Sequence, residues 1–164
     1  MKTHEEYMEL ALEEARKAEE IDEVPVGCVI VCDGEVISRG HNLKEQLNQA
    51  YAHAEMMAIQ KAAEVKGNWC LNDCDLYVTL EPCMMCTGII NLSRIRTVYY
   101  GTQDPKGGCL ETVIDLKKIN RLNHYPNIVG NILQKECSEI LTNYFRKKRE
   151  IIKGKKQKNK ANIQ

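Results

Sequence analysis

The chain has 164 residues, 43% of them hydrophobic, with eight cysteines and a formal net charge of zero. That is enough to bury one core without disulfide staples, and no apolar run approaches the roughly 20 residues a membrane span needs. The N-terminus MKTHEEYMEL is acidic and lacks the apolar block of a secretory signal, so a cytosolic protein is expected, its thiols serving as ligands or small core residues.

In chain order, Thr3 to Glu6 has the form of a capping box, and Tyr7, Met8, Ala11, Leu12, Ala15 and Ala18 follow at helical spacing, which predicts a helix over about residues 3–20. VGCVIVCDGEVISRG then reads as a hairpin turning at Asp33-Gly34, its second strand ending near Asn42. A polar loop, Leu43 to Gln49, leads to a helix with Met56, Ala58, Ile59 and Ala62 as its apolar positions and Gly67-Asn68 as its stop. Asp75 to Leu80 reads as a third strand, and Pro82 opens another helix at the first-turn position where proline is tolerated. IRTVYYG gives a fourth strand, TQDPKGG a turn-rich loop, and Asn127 to Val129 a short fifth strand. Finally, Cys137, Ile140, Leu141, Tyr144 and Phe145 fall on one side of a helix that runs into a basic tail. Strands alternating with helices predict an α/β sheet covered on both faces, in which sites form where helix N-termini gather at strand ends.

The zero net charge hides an asymmetry. Residues 146–164 hold nine basic side chains against Glu150 alone, a local charge of +8, which leaves −8 on the rest. One domain over residues 1–150 followed by a flexible basic tail over 151–164 is expected. The tail is either a solvated extension or an electrostatic arm for a polyanion such as RNA.

Two short stretches carry chemistry. In AYAHAEMMAIQ, His53 and Glu55 stand two apart at a helix start, where they serve one site only if both side chains reach past the helix N-terminus. Alone, such a pair is most simply a solvated or capping pair. In LEPCMMC, Cys83 and Cys86 form a Cys-x-x-Cys pair in a first helical turn, where the helix dipole favours the thiolate. That pair alone could be redox-active, half of a four-thiolate zinc site, or two core thiols. Catalytic zinc takes three protein ligands and keeps a position for water. His53, Cys83 and Cys86 make three, and Glu55 is then free for another role.

His-x-Glu followed by Pro-Cys-x-x-Cys is the pattern of zinc nucleobase deaminases. With it, EVPVGCVIV, AHAEMMAI, LYVTLEPCMMCTGII, YYGTQDPKGGC and NYFRKKR make the chain resemble bacterial tRNA adenosine deaminases from Glu23 to Arg149. The resemblance implies a three-layer α/β/α cytidine deaminase-like fold with a mixed five-stranded sheet, one zinc per subunit, and a homodimer with active sites near its interface. It implies His53, Cys83 and Cys86 as ligands, Glu55 as proton shuttle, and conversion of adenosine to inosine at the wobble position of a tRNA anticodon loop, water activated by zinc adding at C6 as ammonia leaves. It also implies that Asn42 and the Ala54 amide hold the base, that Asp104 lies near the target ribose, and that Asn123 lies in the RNA groove. Each has a plainer alternative: a strand end for Asn42, a turn for Asp104, a loop tie for Asn123. Leu110 and Glu111 depart from the small residues usual there, and a carboxylate at that place would oppose a phosphate.

Two other readings remain at this level. Guanine, cytosine and cytidine deaminases share the zinc motif, so a free nucleobase or nucleoside is the alternative substrate. Cys70 and Cys74 could join Cys83 and Cys86 in a four-thiolate site, making a zinc-stabilised RNA-binding module without catalysis. Cys28, Cys32, Cys109 and Cys137 read as core residues.

Overall fold

In the computed structural model, which describes residues 1–163, the first helix, α1 (His4–Glu20), is held by the expected capping box. Thr3 Oγ1 accepts from the Glu6 amide at 3.1 Å, and Glu6 Oε2 accepts from the Thr3 amide at 2.8 Å. All six apolar positions read from its sequence are buried. Strands β1 (Gly27–Cys32) and β2 (Glu35–His41) form the hairpin, with Asp33 and Gly34 at φ 50° and 80°, the two left-handed residues a tight two-residue turn requires. A single helical turn, α2 (Lys44–Leu47), occupies part of the loop expected to be irregular.

Helix α3 (Ala54–Lys66) ends at Gly67 as expected. Its buried stripe differs from the sequence reading, because Met57 is buried and Met56 only partly so. The reason lies across the interface at Gly40 in β2, where an added Cβ would fall 2.5 Å from the Ala54 carbonyl and 2.9 Å from Met57 Cβ. The absent side chain lets the start of α3 lie directly on β2, which turns Met57 inward and fixes the height of His53 above the sheet.

Then follow β3 (Cys74–Leu80), α4 (Met84–Leu92), β4 (Thr97–Thr102), a 3-10 turn (Leu116–Lys118), β5 (Asn127–Val129) and α5 (Gln134–Asn162). Pro82 lies outside α4, contrary to the first-turn position expected. The chain stays extended through Cys83 (φ −74°, ψ 178°), so Cys83 is the cap and Met84 the first helical residue.

The sheet is mixed and five-stranded in the order β2-β1-β3-β4-β5, with β1 antiparallel to both neighbours and β3, β4 and β5 parallel. Alternation along β1 divides the core into two layers. Val29 and Val31 face α1 and join Tyr7, Met8, Leu12 and Cys137, while Cys28 and Ile30 face α3 and α4 and join Ala58, Leu76, Val78 and Ile90. The architecture is therefore α/β/α, with β1 buried on both faces as a central strand should be.

The basic tail, expected as a flexible segment beyond residue 150, is helical in the structure. Its residues continue α5 to Asn162, exposed throughout apart from Gly154, which is partly covered. Lys-, Gln- and Ala-containing sequence with no proline keeps helix propensity high. Lys148 pairs with Asp22 Oδ2 at 2.6 Å, and Tyr144 donates to the Asp22 carbonyl at 3.3 Å, tying α5 to the end of α1.

Candidate active site

Two helix N-termini meet at one end of the central strands, and four side chains arrive there for local reasons. His53 is the cap of α3 in an extended conformation (φ −85°, ψ 156°), so its imidazole projects past the first turn instead of lying on the helix cylinder. Glu55, two residues on, is buried beneath it. The angular mismatch of residues two apart on a helix is thus removed by the cap. The same device serves α4, where Cys83 is the cap and Cys86 sits one turn in, fully buried.

His53 Nδ1 lies 3.6 Å from Cys83 Sγ and 3.6 Å from Cys86 Sγ, and the three donor atoms lie within 4.8 Å of one another. A tetrahedral zinc with bonds of about 2.3 Å to sulfur and 2.0–2.1 Å to nitrogen sets nitrogen-to-sulfur separations near 3.5 Å. The residues therefore fit zinc in both donor type and spacing. Electrostatics agree. A hydrogen bond from Cys86, with help from the His53 imidazole, holds the Cys83 thiol down at about 4, while its role as donor to Cys83, together with burial, pushes Cys86 up. His53 is raised by its bond to Cys83, and burial raises Glu55 above the usual carboxylate range. Two thiols sharing a proton beside a buried carboxylate form a site short of positive charge, and a dication supplies it.

A cavity of about 210 Å³ opens over these groups, lined by Asn42, His53, Glu55, Cys83 and Asp104 among others. Asn42 is held at both ends of its amide: Nδ2 donates to the Val24 carbonyl at 3.1 Å, and Oδ1 accepts from the Ala54 amide at 2.9 Å. The Ala54 N–H, expected to meet the base, is thus given to Asn42. Asp104 Oδ1 accepts from the amides of Lys106 and Gly107, both at 3.1 Å, in a side-chain turn at the cavity edge. Asn123 is exposed in the segment before β5 and is not part of the cavity lining. Glu111 is turned aside, its Oε1 accepting from the Tyr100 hydroxyl at 2.7 Å.

Sequence reasoning passed over Glu81, which is 1% exposed. Oε1 accepts from the Asp104 amide at 3.3 Å and the Thr112 hydroxyl at 2.5 Å, and Oε2 accepts from the amides of Leu110, Glu111 and Thr112 at 3.2, 2.9 and 3.1 Å. A Cβ at Gly108 would fall 2.4 Å from the same carboxylate. One buried anion therefore gathers the loop that carries Asp104. The available signal was an acidic residue at the end of an apolar strand, where a charge must find partners. Glu81→Gln is expected to leave zinc in place but to loosen the loop, since an amide nitrogen would face backbone donors at about 1–3 kcal/mol for each group left unsatisfied. Hydrogen exchange at Leu110–Thr112 should accelerate. Unchanged protection there would show that the loop holds without the anion.

Cys70 and Cys74 do not join Cys83 and Cys86. Cys74 opens β3 and Cys83 follows its end, a separation of about 20 Å along a strand of this length, so the four-thiolate arrangement is not formed. Cys28, Cys109 and Cys137 are buried as expected. Cys32 is instead only partly buried at the end of β1, beside Asp73 and Cys74.

The converging helix caps, the one-imidazole, two-thiol donor set and the mixed sheet define a zinc-dependent deaminase. Residues 1–102 match the family described as the cytidine and deoxycytidylate deaminase zinc-binding region. The chain belongs to that family, and within it to the tRNA-specific adenosine deaminases. It is 47% identical to the tRNA-specific adenosine deaminase of Bacillus subtilis (strain 168) over 144 residues, covering 88% of this chain and 89% of that protein. It is similar to a structure from studies of A-to-I editing by tRNA:A34 deaminases at the wobble position of transfer RNA, with a TM-score of 0.80, 48% identity, and coverage of 83% of this chain and 99% of that one. A guanine deaminase from Bacillus subtilis is a weaker match, with a TM-score of 0.60, 38% identity, and coverage of 62% and 66%.

Proposed function

We propose that the protein deaminates adenosine to inosine at the wobble position of a tRNA anticodon. His53, Cys83 and Cys86 hold zinc, which supplies Lewis acidity able to bring the pKa of water from about 15.7 to about 7. Glu55 would take the proton that the attacking water gives up and deliver it to N1 of the adenine ring, then take the proton of the new C6 hydroxyl and pass it to N6 as the C6–N6 bond breaks and ammonia leaves. Burial suits it to that work, because a carboxylate with a raised pKa releases and regains a proton more evenly near neutral pH. Asn42, pinned between Val24 and the start of α3, presents a fixed amide edge to the base, and the Ala54 amide acts through it. Asp104 guards the ribose side. Asn123 acts on RNA outside the base cavity.

The observation that carries the choice of RNA over a free base is the continuation of the cavity. Val24, Leu80 and Asp104 also line a second cavity of about 710 Å³ that reaches Phe145 and Arg149 on α5. A free base fills the first cavity and has no use for the second. A nucleotide chain with its target base flipped inward needs room for its neighbours, a ring to stack on and cations for its phosphates. An anticodon loop offers unpaired bases, so flipping costs less than in a duplex. Beyond Arg149, α5 extends this surface with Lys153, Lys155, Lys156, Lys158 and Lys160, for which no carboxylate partner is found among the described residues.

Removing the residues after Arg149 is therefore expected to weaken tRNA binding and flatten its salt dependence, each lost phosphate contact taking about 0.7–0.9 from the slope of log affinity on log salt. An unchanged slope would make the end of α5 a solvated extension.

We also infer a homodimer and a cytoplasmic site of action. Met84 and Leu92 of α4, with Ile119, are exposed around an apolar cavity of about 320 Å³, which suits a second copy of the chain. Among the described residues no helix is long and apolar enough to cross a membrane.

The substrate is tested by incubating the protein with total tRNA and, separately, with free adenosine, guanine, cytosine and cytidine, following ammonia and inosine. Inosine in an anticodon, with free compounds turned over slowly or not at all, is the expected result. Turnover of a free base at a rate matching that on RNA, with no inosine in any anticodon, would transfer the assignment to the nucleobase deaminases.

A further inference from the structure

At the end of the sheet remote from the zinc ligands, Cys32 of β1 stands directly opposite Cys74 of β3 in antiparallel register. Antiparallel partners hold their Cα atoms about 4.5–5.5 Å apart, inside the 4.4–6.8 Å range that a disulfide spans. Both are free thiols, and their sulfurs and an Asp73 oxygen lie within 4.8 Å of one another. Asp73 accepts from both: Cys32 Sγ lies 3.4 Å from Oδ2 and Cys74 Sγ 3.4 Å from Oδ1. Lys66, at the end of α3, donates to Asp73 and approaches Cys32 Sγ at 3.6 Å.

We propose that Cys32 and Cys74 are a reversible oxidation site that closes to a cross-strand disulfide on reaction with a peroxide. The two sulfurs differ in the way such a reaction needs. Cys32 is only partly buried at the end of β1, with the Lys66 ammonium 3.6 Å from its sulfur, so it is the sulfur a small oxidant reaches first. Cys74 is fully buried, and burial together with its bond to Asp73 pushes its thiol up to about 12, so it waits protonated. In the first step Asp73 takes the Cys32 proton as that sulfur attacks one peroxide oxygen, the O–O bond breaks, and the proton leaves with the other oxygen as water, giving a sulfenic acid. In the second, Asp73 draws the proton from Cys74, whose sulfur attacks the sulfenic sulfur. The S–O bond breaks and water leaves with that proton. In sum, two thiols give two electrons to one peroxide, yielding a disulfide and two waters. The same pair also has the look of a metal site, but the Lys66 ammonium already occupies the charge position a dication would need. In a compartment whose thiols are otherwise reduced, such a bridge is transient and undone by thiol exchange.

The zinc-loaded full-length protein, treated with one equivalent of hydrogen peroxide and then alkylated, is mapped with chymotrypsin, which cuts after Leu71 and so separates Cys70 from Cys74. The expected product joins Cys32 to Cys74, lacks two hydrogens, disappears on reduction, and is absent from Cys32→Ser and Cys74→Ser, both of which keep their zinc. Lys66→Met should slow its formation several-fold. Cys32 recovered as sulfinic acid with Cys74 free, a bridge to Cys70, or retention of both thiols by a second equivalent of zinc would each overturn the proposal.

Discussion

Glu55→Gln is expected to retain a full complement of zinc and a near-native Tm while kcat for deamination falls by at least about 10²-fold, the lower end of what a positioned general acid-base group contributes. The isostere keeps the volume of a side chain that is 4% exposed, so packing around Cys86 and the start of α3 is preserved. What it removes is a group able to take a proton and give it back. Glutamine also relieves a buried carboxylate that burial disfavours as an anion, so stability should hold or rise slightly. The measurement pairs metal analysis with single-turnover kinetics. Loss of zinc from this variant would make Glu55 a ligand, and full activity would place the proton shuttle elsewhere.

His53→Ala should act in the opposite order, losing metal first and activity as a consequence. Its Nδ1 is the only nitrogen donor of the trio, equidistant at 3.6 Å from both sulfurs, and two thiolates alone do not complete a zinc coordination shell. Zinc content should drop well below one per chain after dialysis against a weak chelator, with Tm falling in parallel because Cys86 and Glu55 are then buried without a counter-charge. The helix cap itself is not at stake, since His53 makes no side-chain capping bond to α3. A variant that holds zinc as tightly as the parent would remove His53 from the ligand set.

The parts of this structure written in contiguous residues were readable from them. The capping box at Thr3 and Glu6, the Asp33-Gly34 turn and the stop at Gly67 are each local solutions to a backbone problem. The clustering of His53, Cys83 and Cys86 was legible because zinc chemistry calls for a fixed set of residue types, present here at two helix starts. What could not be read depends on residues brought together from a distance. Met57 replaces Met56 in the core because Gly40, in another element, lets α3 approach. Glu81 carries five bonds from Asp104–Thr112, and nothing within LEPC announces them. Asn42 and Ala54, each expected to touch the base, turn out to be bonded to one another. Cys32 and Cys74 meet through strand register, which a spacing of residues along the chain does not encode. The helical continuation through Asn162 was obscured by the charge of a run whose individual residues are good helix formers.

The claim on which the rest depends is that the metal centre is catalytic and not structural, and X-ray absorption at the zinc edge of the purified protein tests it most directly. One nitrogen and two sulfurs with one further light-atom neighbour, unchanged in Glu55→Gln and in Cys70→Ser, is the result the geometry of His53, Cys83 and Cys86 predicts. Four sulfurs around the zinc would contradict it and leave the protein a metal-stabilised binding module.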